Sequence, residues 1–168
     1  MQIRRAHDGD LEAVGAATVA AYADFVLGPD DPYLARLRDA GARAREAELW
    51  VAVEDGPDGR VLGSVTNCPP GSTWREIAAD DEGEFRMLAV DPAARGRGVG
   101  GALVGHVLEH WAGLGVDVVV ISSLPEMTAA HGLYGRFGFR RTPDRDWSPV
   151  PGTQLITFRR ERDRPAGP

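Results

Sequence analysis

The spacing of apolar residues divides the first third of the chain into one strand and two helices. Residues 1–5 predict an edge strand. Over residues 10–25, apolar side chains recur at steps of three and four, which predicts an amphipathic helix. A cluster of glycine, proline and aspartate at 28–32 ends that helix, because such clusters favour turns. A weaker apolar stripe predicts a second helix over 33–48.

The remainder of the chain alternates between short apolar runs and turns, with two more helices between them. The runs predict six strands, at 49–54, 60–67, 85–90, 116–121, 139–142 and 152–159. A glycine-rich segment at 95–101 opens one helix, which ends near Gly113. A second helix carries Tyr134 and ends at Gly138, which is well placed as a left-handed cap.

This order of elements predicts the fold class. The sequence β-α-α-β-β-β-α-β-α-β-β favours an α/β (α+β) fold with a mixed, mostly antiparallel central sheet and helices on both faces. At 168 residues the chain fits one domain, long enough to bury about 70% of its unfolded surface. We expect that domain to cover residues 1–160 and the charged tail 161–168 to fray.

Composition narrows the classes of partner. A net charge of −6 argues against general nucleic-acid binding, which needs a basic face. No run approaches the ~20 apolar residues of a membrane span, and the N-terminus has no apolar signal region. Cys68 is the only cysteine and the four histidines are scattered, so we expect neither a disulfide nor a metal site. The protein is therefore expected to be cytoplasmic, without nucleic-acid or membrane partners.

The segment that carries most chemical information is 84–105. An apolar strand is stopped by Asp91 and Pro92, and glycines then crowd the start of a helix. Each glycine inside a helix costs roughly 1 kcal/mol relative to alanine. In return, bare N–H groups at a helix start can approach an anion, and the helix dipole favours that anion. Arg95 and Arg97 add fork-shaped donors suited to phosphate oxygens, so the segment predicts a pyrophosphate site.

Two familiar phosphate-binding motifs fit this segment poorly. A P-loop needs Gly-Lys-Ser/Thr, and the chain contains no lysine. Gly96-x-Gly98-x-x-Gly101 matches the dinucleotide fingerprint, but five residues (91–95) separate it from its strand. The next strand ends in Ser122 and Ser123 instead of the acidic residue that would hold a ribose.

A third motif fits better. Arg95-x-x-Gly98-x-Gly100, preceded by Leu88-Ala89-Val90-Asp91-Pro92, resembles the acetyl-coenzyme A segment of the GNAT superfamily of N-acetyltransferases. The stretch from Ala130 to Phe139, with Leu133-Tyr134 and a closing Gly138-Phe139, resembles that family's other recurring element. The resemblance covers about 48–160 and implies the GNAT-like acyl-CoA N-acyltransferase fold, with a splay between strands 85–90 and 116–121 for the pantetheine arm.

The resemblance also assigns roles to residues. It implies that acetyl-CoA, as co-substrate, binds at one run of residues before and within the helix start: Leu88, Ala89, Val90, Arg95, Gly96, Arg97, Gly98, Val99, Gly100 and Gly101. One backbone N–H within 88–90 would bond the developing oxyanion. Tyr134 is the candidate proton donor to the coenzyme A sulfur, because a phenol is protonated at neutral pH. An ordinary core aromatic is the alternative for Tyr134.

The proton acceptor is less defined by the sequence. Glu84, at the start of the central strand, could act as a base through water, or it could be a solvated strand end. The family often carries an asparagine seven residues before the tyrosine, and here that position is Met127. Water alone could also serve an amine of low enough pKa. The base and the contacts to the pantetheine arm therefore stay open.

Two functions from different classes fit these features. The first is an acetyl-CoA-dependent N-acetyltransferase that acts by direct attack on a primary amine of a small molecule or a peptide N-terminus. The second is a non-catalytic acyl-CoA-binding or sensing module on the same fold. The residues that tilt the first hypothesis towards a small cationic acceptor are acidic or aromatic: Tyr22, Phe25, Tyr33, Trp74 and 80–82. A homodimer is left open.

Overall fold

A computed structural model describes residues 1–26, 28–56 and 59–162. Its centre is one seven-stranded sheet in the order β1-β2-β3-β4-β5-β7-β6. The strands are β1 (Gln2–Arg5), β2 (Glu48–Val53), β3 (Val61–Asn67), β4 (Glu82–Val90), β5 (Val118–Ser123), β6 (Arg140–Arg141) and β7 (Ile156–Glu161). Within these ranges five of the six strand pairings are antiparallel and β4–β5 is parallel, so the mixed, mostly antiparallel sheet is confirmed.

Five α-helices accompany the sheet in the described part of the chain. They are α1 (Leu11–Tyr22), α2 (Tyr33–Arg38), α3 (Ala40–Glu46), α4 (Val99–Gly113) and α5 (Thr128–Arg136). The single helix predicted over 33–48 is wrong, because Asp39 leaves helical geometry (ψ 73°) and divides it. The Asp39 carboxylate accepts the Ala42 N–H at 2.8 Å and so caps α3. The last residue of that prediction, Glu48, belongs to β2 instead.

Alternating residues of the sheet build two separate cores. On one face, Leu49, Val51 and Val53 of β2 pack with Val14 of α1 and Ala40 of α3. The other face packs against α4 and α5 through a larger set: Ala52, Leu62, Phe85, Val99, Leu103, Val107, Trp111, Ile121 and Tyr134. Helices therefore cover both faces, as the sequence predicts.

Gly83 shows how closely α4 lies on the sheet. A Cβ atom at Gly83 would come within 2.5 Å of the Trp111 ring, so only glycine fits there. Trp111 is itself buried at 2% exposure. The contact fixes the C-terminal part of α4 over the start of β4, and the N-terminus of α4 therefore lies beyond the other end of that strand.

The parallel pair β4–β5 is short. Pairing runs only through Glu82↔Val118, Gly83↔Val119 and Glu84↔Val120. Further along, β4 contains a bulge against β3, where Met87 takes a positive φ of 48° and the register shifts between Ser64 and Thr66. The predicted splay is thus present, and it begins directly after Glu84.

The C-terminal end of the described chain differs from the sequence-based expectation. Glu161 is not part of a tail, because β7 extends to this residue, which pairs with Val118. The Arg162 N–H then donates to the Asp117 carbonyl at 2.7 Å. The rest of the predicted frayed tail, 163–168, lies outside the described residues, as do 57–58 of the β2–β3 turn. In the described ranges, no helix is long and apolar enough to span a membrane.

Candidate active site

The N-terminus of α4 presents unpaired backbone donors. Gly98 is the N-cap with φ 79° and ψ 4°, a left-handed conformation that side chains with a Cβ rarely adopt. The first bond of the helix is the Ala102 N–H to the Gly98 carbonyl, at 3.0 Å. The N–H groups from Gly98 to Gly101 have no acceptor among the described residues. This arrangement suits an anion.

The two arginines of the motif differ in their surroundings. The Nη1 of Arg97 lies 3.0 Å from the Glu54 Oε1 just after β2. Arg95 is exposed, and its side chain makes no hydrogen bond or ion pair with the described part of the chain. Both were predicted to contact the cofactor, and the geometry leaves Arg95 the freer of the two to do so.

Glycines later in the motif allow α5 to pack closely. A Cβ at Gly100 would meet the Leu133 Cδ2 at 3.2 Å and the Val90 Cγ2 at 3.5 Å. A Cβ at Gly101 would lie 3.9 Å from the Phe137 ring. The start of α4 is therefore packed between the end of β4 on one side and Leu133 and Phe137, at the C-terminal end of α5, on the other.

The edge of β4 that faces β5 is open beside this helix start. On the β3 side, Ala89 and Val90 remain paired, with Ser64 and Gly63. On the β5 side, no described strand pairs with β4 beyond Glu84. Backbone groups of 88–90 can therefore reach a ligand in the splay, which is the position that the sequence predicts for the oxyanion donor.

Tyr134 of α5 lies in an aromatic cluster. Its ring centroid is 6.1 Å from Phe85 in an edge-on arrangement, 5.8 Å from Phe139 and 6.0 Å from Phe158. Burial raises the pKa of the Tyr134 phenol well above its usual range. The hydroxyl forms no hydrogen bond within the described ranges, so its proton is not committed to a protein acceptor. Both roles considered for Tyr134, core aromatic and proton donor, are compatible with this geometry.

Met127 stands where the resembled family often has asparagine. It is the N-cap of α5, with φ −76° and ψ 51°, and its carbonyl accepts the His131 N–H at 3.1 Å. The thioether offers no strong hydrogen-bond donor. Any polar contact to a pantetheine arm near this position must therefore come from backbone or from another side chain.

Glu84 occupies a different environment from the one considered in the sequence. Its side chain is 1% exposed, so it is not a solvated strand end. Its carboxylate accepts the backbone N–H groups of Glu76, Ile77 and Ala78, with four contacts between 3.0 and 3.1 Å. The role as base is a prediction that this geometry does not test. The carboxylate clearly holds the segment 76–78 against β4.

A second carboxylate, Glu76, is not marked by any pattern in the sequence. Its Oε1 lies 2.7 Å from the Arg86 Nη1 and 3.7 Å from the Arg36 Nη2. Arg86 also donates to the Trp74 carbonyl at 3.1 Å. A charged residue within the apolar run 85–90 was a usable signal for Arg86. Nothing local marked Glu76 or Arg36, which come from a loop and from α2.

Aromatic side chains surround these charges. Tyr22, Tyr33, Trp74 and Met87 belong to one apolar cluster between α1, α2 and the bulge. The Arg36 guanidinium stacks over the Trp74 ring at 4.7 Å. Burial raises the pKa of Tyr22 and of Tyr33, so both phenols stay protonated. Aromatic residues of α1 and α2 therefore meet beside these charges.

A cleft of about 430 Å³ opens beside this cluster. It is lined by Ala35, Arg36, Asp39, Glu46, Thr73 and Trp74. Arg36 and Trp74 thus belong both to the cleft and to the surroundings of Glu76.

A buried arginine connects the three N-terminal helices. Arg43 of α3 is fully buried and donates from Nη2 to the Leu37 carbonyl at 3.0 Å and to the Thr18 Oγ1 at 3.2 Å. Its Nε and Nη1 have no hydrogen-bond partner among the described residues. Burial lowers the pKa of Arg43 to about 10.

The acidic residues 80–82 do not surround an acceptor as one group. Asp80 and Asp81 are exposed, whereas Glu82 begins β4 and is buried. The Glu82 carboxylate pairs with Arg145 at 2.8 Å and with Arg159 at 3.7 Å. It is therefore already neutralised, which weakens the sequence-based argument for a cationic acceptor. Among the described residues, no group of three or more His, Cys, Asp or Glu could hold a metal ion.

Comparison with known proteins agrees with this architecture. Residues 45–141 match the family model described as an acetyltransferase (GNAT) domain. The chain is 37% identical over 152 residues to a mycothiol acetyltransferase of Cellulomonas flavigena, which covers 82% of this chain and 42% of that protein. It is also 42% identical over 110 residues to glucosamine 6-phosphate N-acetyltransferase 1 of Oryza sativa subsp. japonica, covering 66% of this chain and 63% of that protein. The chain thus spans less than half the length of the mycothiol relative.

Solved structures share the fold. The PaiA N-acetyltransferase from Thermoplasma acidophilum, solved with coenzyme A, superposes with a TM-score of 0.71 at 13% identity, over 95% of this chain and 98% of that one. The yncA protein from Salmonella typhimurium, solved with its cofactor acetyl-CoA, gives a TM-score of 0.67 at 22% identity, over 100% and 97%. At these identities the likeness concerns the fold alone.

Proposed function

The chain belongs to the GNAT family of acetyltransferases, and from that premise we propose that it transfers the acetyl group of acetyl-CoA to a primary amine by direct attack. The observation that carries the proposal is the meeting of three features. Unpaired N–H groups at the start of α4, the open edge of β4 and the Tyr134 ring all border the splay between β4 and β5.

The residues at the start of α4 fit the pyrophosphate of acetyl-CoA. The N–H groups from Gly98 to Gly101 would donate to phosphate oxygens, and the exposed guanidinium of Arg95 would add charge-assisted bonds. The open edge at 88–90 would hold the arm and the carbonyl oxygen. When bound, acetyl-CoA supplies an activated thioester whose sulfur is the leaving group.

Tyr134 would return a proton to that sulfur. The phenol is protonated at neutral pH and so has a proton to give, although burial raises the pKa of Tyr134 and makes it a weaker acid than a solvent-exposed tyrosine. Its ring is held edge-on against Phe85, a residue of the strand that lines the splay. The packing fixes the direction of the hydroxyl, which is what general acid catalysis requires of geometry.

The acceptor we propose is a primary amine of a small molecule or of a peptide N-terminus. Because two relatives are named mycothiol acetyltransferase and glucosamine 6-phosphate N-acetyltransferase 1, an amino sugar and its phosphate belong among the amines to be tested. We propose that the tyrosines of α1 and α2, together with the adjoining cleft, form the acceptor side. Cytoplasmic location and the single-domain organisation stay predictions, and a homodimer stays an open possibility.

A thiol-release assay tests this function. The protein is mixed with acetyl-CoA and, separately, with glucosamine 6-phosphate, glucosamine, amino acids, spermidine and a short peptide. We expect free thiol to appear above the rate without protein for at least one amine, with an acetylated product of matching mass.

The other outcomes separate the alternatives. Calorimetric binding of acetyl-CoA without thiol release from any amine would overturn acetyl transfer and favour the acyl-CoA-binding module. Absence of binding would overturn both functions.

A further inference from the structure

We propose that Glu76 takes the proton from the acceptor's ammonium group and that Glu84 acts as a positioning residue for the segment that carries Glu76. The proposal rests on the acetyl-transfer function above and assigns the proton path that the sequence left open. It gives different roles to two carboxylates that lie eight residues apart in the sequence: Glu76, within the loop before β4, and Glu84, within β4.

The first step is that burial and the bound loop segment 76–78 close Glu84 off from a substrate. Three consecutive backbone N–H groups, of Glu76, Ile77 and Ala78, all point at its carboxylate. The side chain is 1% exposed, so an ammonium group would have to displace these donors to reach it. Displacement would leave buried N–H groups unpaired, at a cost of about 1–3 kcal/mol each.

The second step is that Glu76 has an uncommitted oxygen. The closest approach of Arg86 and of Arg36 is in both cases to Oε1. Its Oε2 accepts no hydrogen bond from the part of the chain that the structure describes. The side chain is 18% exposed, which allows a small molecule to reach it. Glu76 therefore offers a fixed carboxylate with one acceptor atom that is not hydrogen-bonded.

The third step concerns the surroundings of Glu76. Burial raises the pKa of Glu76 above its usual range and outweighs Arg86 and Arg36, which favour the charged form. Glu84, at the other side of the loop, adds to the effect of burial. Tyr33 of α2 and Cys68 after β3 are neutral titratable groups within its electrostatic reach. A carboxylate of raised pKa is a better proton acceptor at neutral pH.

The fourth step places Glu76 on the acceptor side of the splay. Its partner Arg86 precedes Met87, the bulge residue of β4, and Met87 packs in the same cluster as Tyr22 and Tyr33. Glu76 is therefore joined through Arg86 to the strand residue that packs against the tyrosines of α1 and α2.

The proton balance follows from these positions. The acceptor enters as an ammonium ion, and one N–H proton passes to the Glu76 carboxylate. The freed nitrogen lone pair forms a bond to the acetyl carbonyl carbon, and the carbon–sulfur bond breaks. The sulfur takes its proton from the Tyr134 hydroxyl, and the proton that the new amide nitrogen still carries in excess restores Tyr134 through solvent. The products are the acetamide, coenzyme A and one proton, which Glu76 later releases.

The role of Glu84 follows from the loop it holds. Without its carboxylate the N–H groups of 76–78 lose their acceptors, and the segment is free to leave β4. A glutamine at this position keeps an amide oxygen that can accept the Ile77 and Ala78 N–H groups. A positioning role is therefore rescued by Glu84→Gln, whereas a base role is not, because an amide takes no proton.

The experiment compares four variants with the wild type on the best amine of the thiol-release panel. We expect Glu76→Gln to lower turnover about 10²- to 10⁴-fold at pH 7 and to regain rate as pH rises and the free amine accumulates. Glu84→Ala should fall to a similar level, but Glu84→Gln should stay within about tenfold of wild type. Asp80→Asn, an exposed carboxylate of the same loop, should not change the rate.

A second measurement does not depend on catalysis. Hydrogen exchange of the peptide covering 74–81 should be faster in Glu84→Ala than in the wild type, because the hydrogen bonds to the three N–H groups are lost. The same peptide should exchange normally in Glu76→Gln. Unchanged exchange in Glu84→Ala would overturn the positioning role.

The remaining outcomes test the roles of Glu76 and Glu84 separately from the proposed function. Full turnover in Glu76→Gln would overturn its role, and a loss of about 10²-fold in Glu84→Gln with normal exchange would make Glu84 the base instead. Both results leave acetyl transfer intact. If the wild type binds acetyl-CoA but acetylates no amine, the proposed function itself fails, and the assignment of Glu76 fails with it.

Discussion

The proposed cofactor side and the proposed acceptor side of this molecule are built from different kinds of chemical group. The cofactor side is a continuous stretch of backbone, from the open edge of β4 through Gly98 to the first turn of α4. The acceptor side is made of side chains, with Arg36 from α2, Glu76 from a loop and Arg86 from β4. Backbone donors bind any phosphate of suitable shape, whereas a side-chain constellation can change its substrate through single substitutions.

The strongest way to break the cofactor side is a side chain with negative charge at Gly98. Gly98→Glu forces a Cβ into a left-handed position and places a carboxylate where phosphate should bind. We expect no measurable acetyl-CoA affinity by calorimetry. Gly113→Glu is the matched control, because it adds the same group at the other end of α4, where a Cβ meets no atom within 4 Å. Unchanged affinity in Gly98→Glu would rule this site out.

The next largest effect should come from Tyr134, where the two sides meet. Tyr134→Phe keeps the ring against Phe85 but removes the only proton that the side chain can give. General acid catalysis contributes about 10²- to 10⁴-fold, so turnover should fall by that factor. Acetyl-CoA affinity and melting temperature should stay near wild type. If turnover is retained, Tyr134 is a packing residue only.

Smaller losses of acetyl-CoA affinity are expected from variants of the two arginines of the motif, Arg95 and Arg97. Arg95→Ala should weaken acetyl-CoA binding about tenfold, which corresponds to one charge-assisted hydrogen bond. Arg97→Ala should weaken it by less than about threefold, because Arg97 already pairs with Glu54 at 3.0 Å. Calorimetric titration of both variants checks the order. Equal losses would show that Arg97 leaves Glu54 when the ligand binds.

The smallest effect concerns Glu82, the first residue of β4, and its contribution to the free energy of unfolding. Burial opposes the charge of Glu82, but it is outweighed by the hydrogen bonds from Arg145 and from the Ala79 N–H together with the charges of Arg145 and Arg159, and the pKa of Glu82 is lowered. A lowered pKa contributes stability above the unfolded value near 4.5, and that stability is lost as pH falls through the folded value. Glu82→Gln should therefore lower the free energy of unfolding by about 1 kcal/mol at pH 7.

Denaturant titration at several pH values checks this sign. The difference between wild type and Glu82→Gln should narrow as pH falls below about 4.5. Asp81→Asn, an exposed neighbour, is the control and should show no difference at either end of the range. A gap that persists in acid would mean that Glu82 stabilises the protein by packing rather than by charge.

The same contrast explains what the sequence could predict. The order of elements along the chain and the glycine-rich helix start followed from local patterns, whereas the splay was implied by the resemblance to the GNAT superfamily. The acceptor side could not be predicted in this way. Glu76, Arg36 and Arg86 belong to a loop, to α2 and to β4, and they come together only in the folded protein. The break at Asp39 in the helix predicted over 33–48 was also missed. The apolar stripe there was weak, and the stripe does not show that the Asp39 side chain caps a second helix.

The brevity of the β4–β5 pairing has a consequence for how the protein unfolds. Only three residue pairs in the described sheet join an antiparallel unit made of β1 to β4 with another made of β5 to β7. Such units can open separately, and their amide protons then exchange at different rates. A ligand seated across the seam adds about 2.7 kcal/mol, at roughly a hundred times its dissociation constant, to any opening that expels it. Bound acetyl-CoA would thus couple the two units, so that they unfold together as one cooperative unit.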